Sequence, residues 1–344
     1  MLIENKFHQQ PQLLIYLYTL DQLKIFEEHI RNYYTAKDIS FPKIQEIVDY
    51  LREKFILYKH FLDKQFEKRL QGNEFASRMA EMYFIESLIK KNIQIEHKSN
   101  AGPDIWIKDI KGWGEFVAAT DSQEYLKTQE DTILSSHEEY LLTRLTSVLN
   151  KKSTHNVSKW INKKTTESNE PIILFISSAW LKNPFLLTPE GSINTYLRAV
   201  FPISEAIVFI NPITKKAFID RKYKSCIKKA NEKMIENDFF LRKENKFISA
   251  IVFSNQTIFH QFFFPKSRFK SGDDFVIVHN PMAKNPIPTG LLPGCHEYKS
   301  CLHNNKLFIK DIYTKKYRHI MRTIWRMDEK VTGTELNRFK KQNV

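Results

Sequence analysis

The sequence predicts an α/β protein, and three observations carry that expectation. Between Asn73 and Ser177 the apolar pattern changes from helical to strand-like and back, in the order α-β-β-β-α-β. The 42% hydrophobic and 27% charged fractions, over 344 residues, are those of a folded chain with at least one sizeable core. The longest apolar stretches, such as Pro171–Ala179, fall far below the ~18 residues that a membrane helix needs.

The elements follow in order. Residues 12–72 are rich in Leu, Ile, Phe, Glu and Lys, and predict helices over 12–35 and 41–70. Ser40 reads as a helix start, with Pro42 tolerated in the first turn, where its missing N–H costs nothing. This defines a helical N-terminal region, 1–72. Asn73–Lys91 is a further helix: Phe75, Met79, Met82 and Ile89 form an apolar stripe, with Glu74, Arg78 and Glu81 on an adjacent face.

Ile93–His97 alternates as a short strand, and Ala101-Gly102-Pro103 turns into a second, Asp104–Ile107. Asp109–Gly112 reads as a hairpin connection and Trp113–Ala119 as a third strand. A long helix over Ser135–Lys164 and a buried-type strand over Pro171–Ser177 complete a central unit, 73–182. In the remainder, 183–344, Ala206–Asn211, Ser249–Ser254 and Asp274–His279 are strand-like, and Lys315–Met327 is expected to be helical. The proline-rich segment Asn280–Pro293 wraps between these elements. This C-terminal α/β extension is expected to pack on the central unit.

Composition narrows the function. Lys plus Arg number 53 against 39 Asp plus Glu, a net charge of +14, which favours an anionic partner, nucleic acid first and anionic membrane second. Among the few glycines only Gly112 and Gly114 lie close together, and Val117 stands where a dinucleotide fingerprint would want its third. No GxxxxGK[ST], HExxH or GxSxG occurs, so P-loop, zincin and serine-hydrolase chemistry lose their sequence support. Three cysteines exclude a disulfide framework and fit a reducing compartment. Leu13–Tyr18 lacks a basic leader and a small-residue cleavage site, so no signal peptide is expected. The expected location is the cytoplasm, with delivery into another cell left open.

The candidate chemistry is a set of carboxylates: Glu81 on the helix, Asp104 opening the second strand and Glu115 in the third. Trp113, Glu115 and Val117 share a strand face, and in a hairpin Asp104 and Glu115 meet across the ladder. Carboxylates converging at a sheet edge offer hard oxygen ligands suited to Mg²⁺ or Mn²⁺. Such an ion can generate hydroxide and neutralise charge on a phosphate under in-line attack. The plainer alternative is that these acids are solvated strand-end residues.

The segment Gly102-Pro103-Asp104, ten intervening residues and Glu115, set in α-β-β-β-α-β order, resembles the PD-(D/E)xK nuclease-like superfamily. Tyr140–Lys152, Phe201-Pro202-Ile203 and His279-Asn280-Pro281…Lys284-Asn285-Pro286 also resemble a group of bacterial proteins that carry the same GPD…E core. The core resemblance covers about 73–180, and the group resemblance extends to about 290. It implies a restriction-endonuclease-like core and Mg²⁺-dependent phosphodiester hydrolysis. Asp104 and Glu115 would then be metal ligands, and Glu81 the helix carboxylate that completes or orients the site.

One residue departs from that pattern. The superfamily usually places a lysine two residues after the glutamate, and here that position is Val117. Tyr140, Arg144 and Lys151 recur at i, i+4 and i+11 on the long helix, so Lys151 or Arg144 is expected to supply the cation. The alternative is a catalytically impaired binding or interaction protein on a nuclease-derived scaffold.

Three basic clusters extend the nucleic-acid reading. Lys151, Lys152, Lys159, Lys163 and Lys164 run without an acidic interruption, and Lys215–Lys233 holds eight cations against Asp220 and Glu232, with Phe218 and Tyr223 between them. Lys306–Arg326 interleaves Lys315, Lys316, Arg318, Arg322 and Arg326 with Tyr313, Tyr317 and Trp325. Such residues supply sequence-independent phosphate contacts and stacking platforms; a solvated face is the commoner case for any one cluster, and the three together favour nucleic acid.

Cys295-His296 and Cys301-Leu302-His303 are a rival Zn²⁺ motif, but adjacent ligands at 295–296 strain a tetrahedral site. Cys301 as a nucleophile lacks a group to orient its base. His279 reads as a strand-end histidine hydrogen-bonded to backbone, with orientation of substrate as the alternative, and Trp106 and Trp113 read as core.

Overall fold

The computed structural model describes residues 44–70, 74–98, 102–121, 134–152, 159–160, 166, 168–181, 189–204, 207–210, 217–220, 224–228, 233–263, 270–303, 306–312 and 321–323. The expected helix at 12–35 lies outside them. Helix α1 spans Ile44–Tyr58, and the chain then breaks through a 3₁₀ turn, Lys59–Phe61, before α2, Phe66–Leu70. One continuous helix over 41–70 is therefore corrected. Asp63 in the break accepts the backbone N–H of Gln65 through Oδ1 (2.7 Å), a local bond that competes with helix continuation.

Helix α3, Phe75–Lys90, follows, then β1, Ile95–Glu96, β2, Ile105–Ile107, and β3, Gly112–Thr120. The connection between β2 and β3 tightens into a 3₁₀ turn closed by Lys111 at φ +48°. A side chain at Gly112 would sit 2.6 Å from the Pro171 carbonyl, so the start of β3 needs the bare backbone there. Helix α4, Leu134–Lys152, returns the chain to β4, Ile172–Trp180.

Beyond lie α5 (Pro189–Val200), the hairpins β5 (Ile207–Ile210)–β6 (Ala217–Asp220) and β7 (Cys226–Lys228)–β8 (Met234–Glu236), β9 (Ile248–Ser254) and the short α6 (His260–Phe263). Strands β10 (Val276–His279), β11 (His296–His303), β12 (Lys306–Asp311) and β13 (Met321–Thr323) complete the set. The expected helix over Lys315–Met327 is overturned where it is described: Met321–Thr323 pairs antiparallel with β12, and ladder partners outweigh a weak helical pattern.

These elements form a mixed α/β structure. Its main sheet, among the described residues, has the order β1-β2-β3-β4-β9-β10-β11-β12-β13. Strand β2 pairs antiparallel with both β1 and β3, while β3, β4 and β9 run parallel, with α4 as the crossover from β3 to β4. Such central strands are covered on both faces, which is why β3 and β4 read as near-continuous apolar runs.

Strand periodicity divides the core in two. Ile105, Phe116, Ile173, Phe175 and Val252 face the α3 side, where the Phe84 ring stacks on Phe116 at 5.4 Å. Trp106, Trp113, Leu174, Ile176 and Phe253 face α4 and α5, meeting Leu141, Leu145, Leu149 and Leu197. Each large apolar side chain buried in this way contributes about 1.5–3 kcal/mol. Helix α3 is buried from Arg78 to Leu88, so its charged residues are enclosed with the apolar ones.

Candidate functional site

The β2–β3 register brings the first two acids together. Ile105 pairs with Gly114 at the end of the ladder, and Asp104 and Glu115, the residues just beyond it on each strand, interact through their carboxyl groups. The Asp104 carboxylate accepts the Phe116 backbone N–H at Oδ2 (2.6 Å). Glu115 is 5% exposed and pairs with Leu174 of β4, one residue past the last pair between β2 and β3. Burial and the charge of Asp104 push its carboxyl up to about 8, against the pull of Lys152. Burial also raises Asp104, opposed by the Phe116 N–H and by the charges of Lys152 and Arg78.

The cation at this pair is Lys152, the last residue of α4. Its Nζ lies 2.6 Å from Glu115 Oε1. Burial would lower the ammonium pKa, but the facing carboxylates more than compensate, so Lys152 stays charged.

Glu81 approaches from α3. It is buried, and burial first, then the charge of Asp104, holds its carboxyl well above the usual range. Its bond is to Arg78, one turn earlier, with Nη1 2.5 Å from Glu81 Oε2. Arg78 also meets Asp63 Oδ2 (3.3 Å) and Glu74 Oε2 (3.2 Å) and lies 5.8 Å from the Phe66 ring centroid. Among the described residues, no group of three or more His, Cys, Asp or Glu side chains is gathered to hold a metal ion. Asp104 and Glu115 form a pair, with Glu81 beside them but turned to Arg78.

The expected cations are placed elsewhere. Lys151 is exposed. Arg144 donates from Nε (2.8 Å) and Nη2 (2.5 Å) to the Thr120 carbonyl, tying α4 to the end of β3. The signal for Lys152 was in the sequence. It continues the Leu141, Leu145, Leu149 series at helical spacing, whereas Lys151 lies off that stripe. Val117 is buried where β3 pairs with Ile176 of β4, as suits an apolar residue. Arg78 was legible as a helix neighbour of Glu81, but its link to Asp63 crosses the break between α1 and α2.

The other motifs are taken up by structure. His279 Nε2 lies 2.5 Å from Glu297 Oε1, both buried, and Glu297 Oε2 accepts the Gly290 N–H (2.9 Å), fastening the proline-rich segment to β10 and β11. Cys295 is buried with Sγ 3.5 Å from the Gly272 carbonyl, and burial pushes its thiol up to about 12, which leaves it inert. Trp106 and Trp113 pack edge to face at 4.9 Å within the α4-side core. Of the basic clusters, Lys151, Lys159, Lys228 and Lys233 are exposed, while much of the 306–326 cluster lies outside the described residues. No helix among the described residues is long and apolar enough to cross a membrane.

Set beside protein-family models, curated proteins and solved structures, the chain matches none of them.

Proposed function

We propose that this protein is a divalent-metal-dependent nuclease, hydrolysing phosphodiester bonds in nucleic acid at Asp104, Glu115 and Lys152. The observation that carries the reading is the Lys152–Glu115 contact: α4 delivers an ammonium to the carboxylate pair that the GPD…E spacing singles out. It supplies the cation that a restriction-endonuclease-like core would otherwise lack at Val117. The path from α3 through β1, β2, β3 and α4 to β4, with β3 and β4 parallel, supports the same superfamily reading.

The residues suit a hard cation. Two enclosed carboxylates face each other, and the high Glu115 pKa reflects negative charge that the surroundings only partly offset. Asp104 and Glu115 would hold Mg²⁺ or Mn²⁺, with Glu81 assisting. The ion would supply an activated water and charge neutralisation at the phosphate. Lys152 carries a fixed positive charge to the place where negative charge develops on the phosphate oxygens, so it favours the transition state over the ground state. The exposed lysines at the end of α4 and on the β7–β8 hairpin would add sequence-independent phosphate contacts.

The test is cleavage of mixed DNA and RNA substrates with Mg²⁺ or Mn²⁺. Asp104→Asn and Glu115→Gln are expected to lower cleavage by more than the roughly 10–100-fold that losing an outer partner of a metal ligand costs. Lys152→Met is expected to lower it about 10²–10³-fold. Cleavage that survives both acid substitutions would overturn the reading. Absent cleavage by folded wild-type protein that still binds polynucleotide would replace it with a binding protein on the same scaffold.

A further inference from the structure

We infer that each carboxylate of the site is held by a partner from the chain itself, and that the site takes up its metal ion together with a phosphate rather than before it. The inference rests on the nuclease reading and adds an order of binding to it.

Each carboxylate already has an internal partner. Glu115 is met by Lys152 (2.6 Å), Glu81 by Arg78 (2.5 Å) and Asp104 by the Phe116 N–H (2.6 Å). A divalent cation arriving alone has to compete with two resident cations for the same oxygens.

Those resident cations are mounted so that they can move without being stranded. Lys152 ends α4, and its side chain is 25% exposed. Its four-carbon arm can leave Glu115 for a phosphate oxygen nearby without unfolding the helix. Arg78 is held by Glu74 and Asp63 as well as Glu81, so it stays compensated if Glu81 turns toward the acid pair. Arg78 is thus a positioning residue: it holds Glu81 aside in the resting protein and keeps it within reach.

A phosphodiester supplies the anion that this arrangement awaits. As it engages Lys152, a Glu115 oxygen is released to the metal, and the metal in turn balances the carboxylates that Lys152 has left. Metal and polynucleotide therefore bind with positive linkage, which is reciprocal by thermodynamic necessity.

The experiment is a calorimetric titration of Mn²⁺ into the full chain, alone and with a cleavage-resistant phosphorothioate oligonucleotide. The oligonucleotide is expected to tighten Mn²⁺ binding by roughly tenfold or more. Lys152→Met is expected to tighten Mn²⁺ binding without oligonucleotide by a similar factor and to shrink the linkage. Lys151→Met removes the same charge from the same helical turn but no bond to Glu115, so its Mn²⁺ affinity without oligonucleotide should stay at the wild-type value. Circular dichroism checks folding, and the wild-type linkage needs no variant. Equal Mn²⁺ affinity with and without oligonucleotide, or unchanged or weaker binding by Lys152→Met, would overturn the inference. Should cleavage still require Asp104 and Glu115 in that event, the nuclease reading stands alone; no Mn²⁺ bound in any titration would overturn both.

Discussion

Among the buried acids tied to helix α3, two centres satisfy their carboxylates by opposite means. Asp274 accepts Tyr83 Oη and Ser254 Oγ, each at 2.5 Å, and the backbone N–H groups of Asn255 (2.9 Å) and Gln256 (3.1 Å). All four donors are neutral, and they fasten α3 to the turns after β9 and before β10. Asp104, Glu115 and Glu81 instead depend on one backbone N–H and on two cations carried by long side chains. Fixed neutral donors make a clasp. Displaceable cations leave a carboxylate available for another positive charge, and the proposed function draws on that difference.

The comparison can be broken by stability measurements. Asp274→Ala leaves four donors without their acceptor and is expected to cost about 3–4 kcal/mol in denaturant unfolding. Asp104→Asn removes a like charge from beside Glu115 and keeps an oxygen for the Phe116 N–H, so its cost should stay below about 1 kcal/mol. Equal losses at the two positions would mean that both centres are structural.

Titration sharpens it further. Glu115 holds its proton up to about 8 in the folded protein, against roughly 4.3 for an unperturbed glutamate. Folding therefore favours the protonated form. Stability falls as pH rises from the unfolded value through the folded one, and levels off above it. Glu115→Gln should flatten that part of the curve. Mn²⁺ should raise the thermal midpoint more above pH about 8 than near pH 6, because it binds the ionised pair.

The smallest effect belongs to the cation with a structural task. Arg144→Gln removes two bonds to the Thr120 carbonyl. It is expected to cost about 1–2 kcal/mol in the same unfolding measurement, with cleavage per folded molecule unchanged. A kinetic loss as large as that of Lys152→Met would return Arg144 to the site.

Much of this was legible in the sequence because it is local. Alternation in β2 and β3, the turn at Gly102-Pro103 and the 3.6-residue period of α3 and α4 follow from backbone geometry and burial, and they bring Asp104 and Glu115 together just beyond the β2–β3 ladder without long-range information. The α/β class follows from the same periods. The break at Asp63 and the strand at Met321–Thr323 were missed because a side-chain bond to backbone and a ladder partner decided them.

What the sequence by itself determined is therefore the α/β class, the carboxylate pair and the absence of a lysine at Val117. Only the tertiary structure decided which cation meets the carboxylate pair. Lys151 and Lys152 are chemically identical, and a helix turns about 100° between neighbouring residues, so the docking of α4 on the sheet sends one lysine to solvent and the other to Glu115. The same holds for Arg78: its pairing with Glu81 is a helical spacing, but its pairing with Asp63 exists only because the α1–α2 break packs against α3.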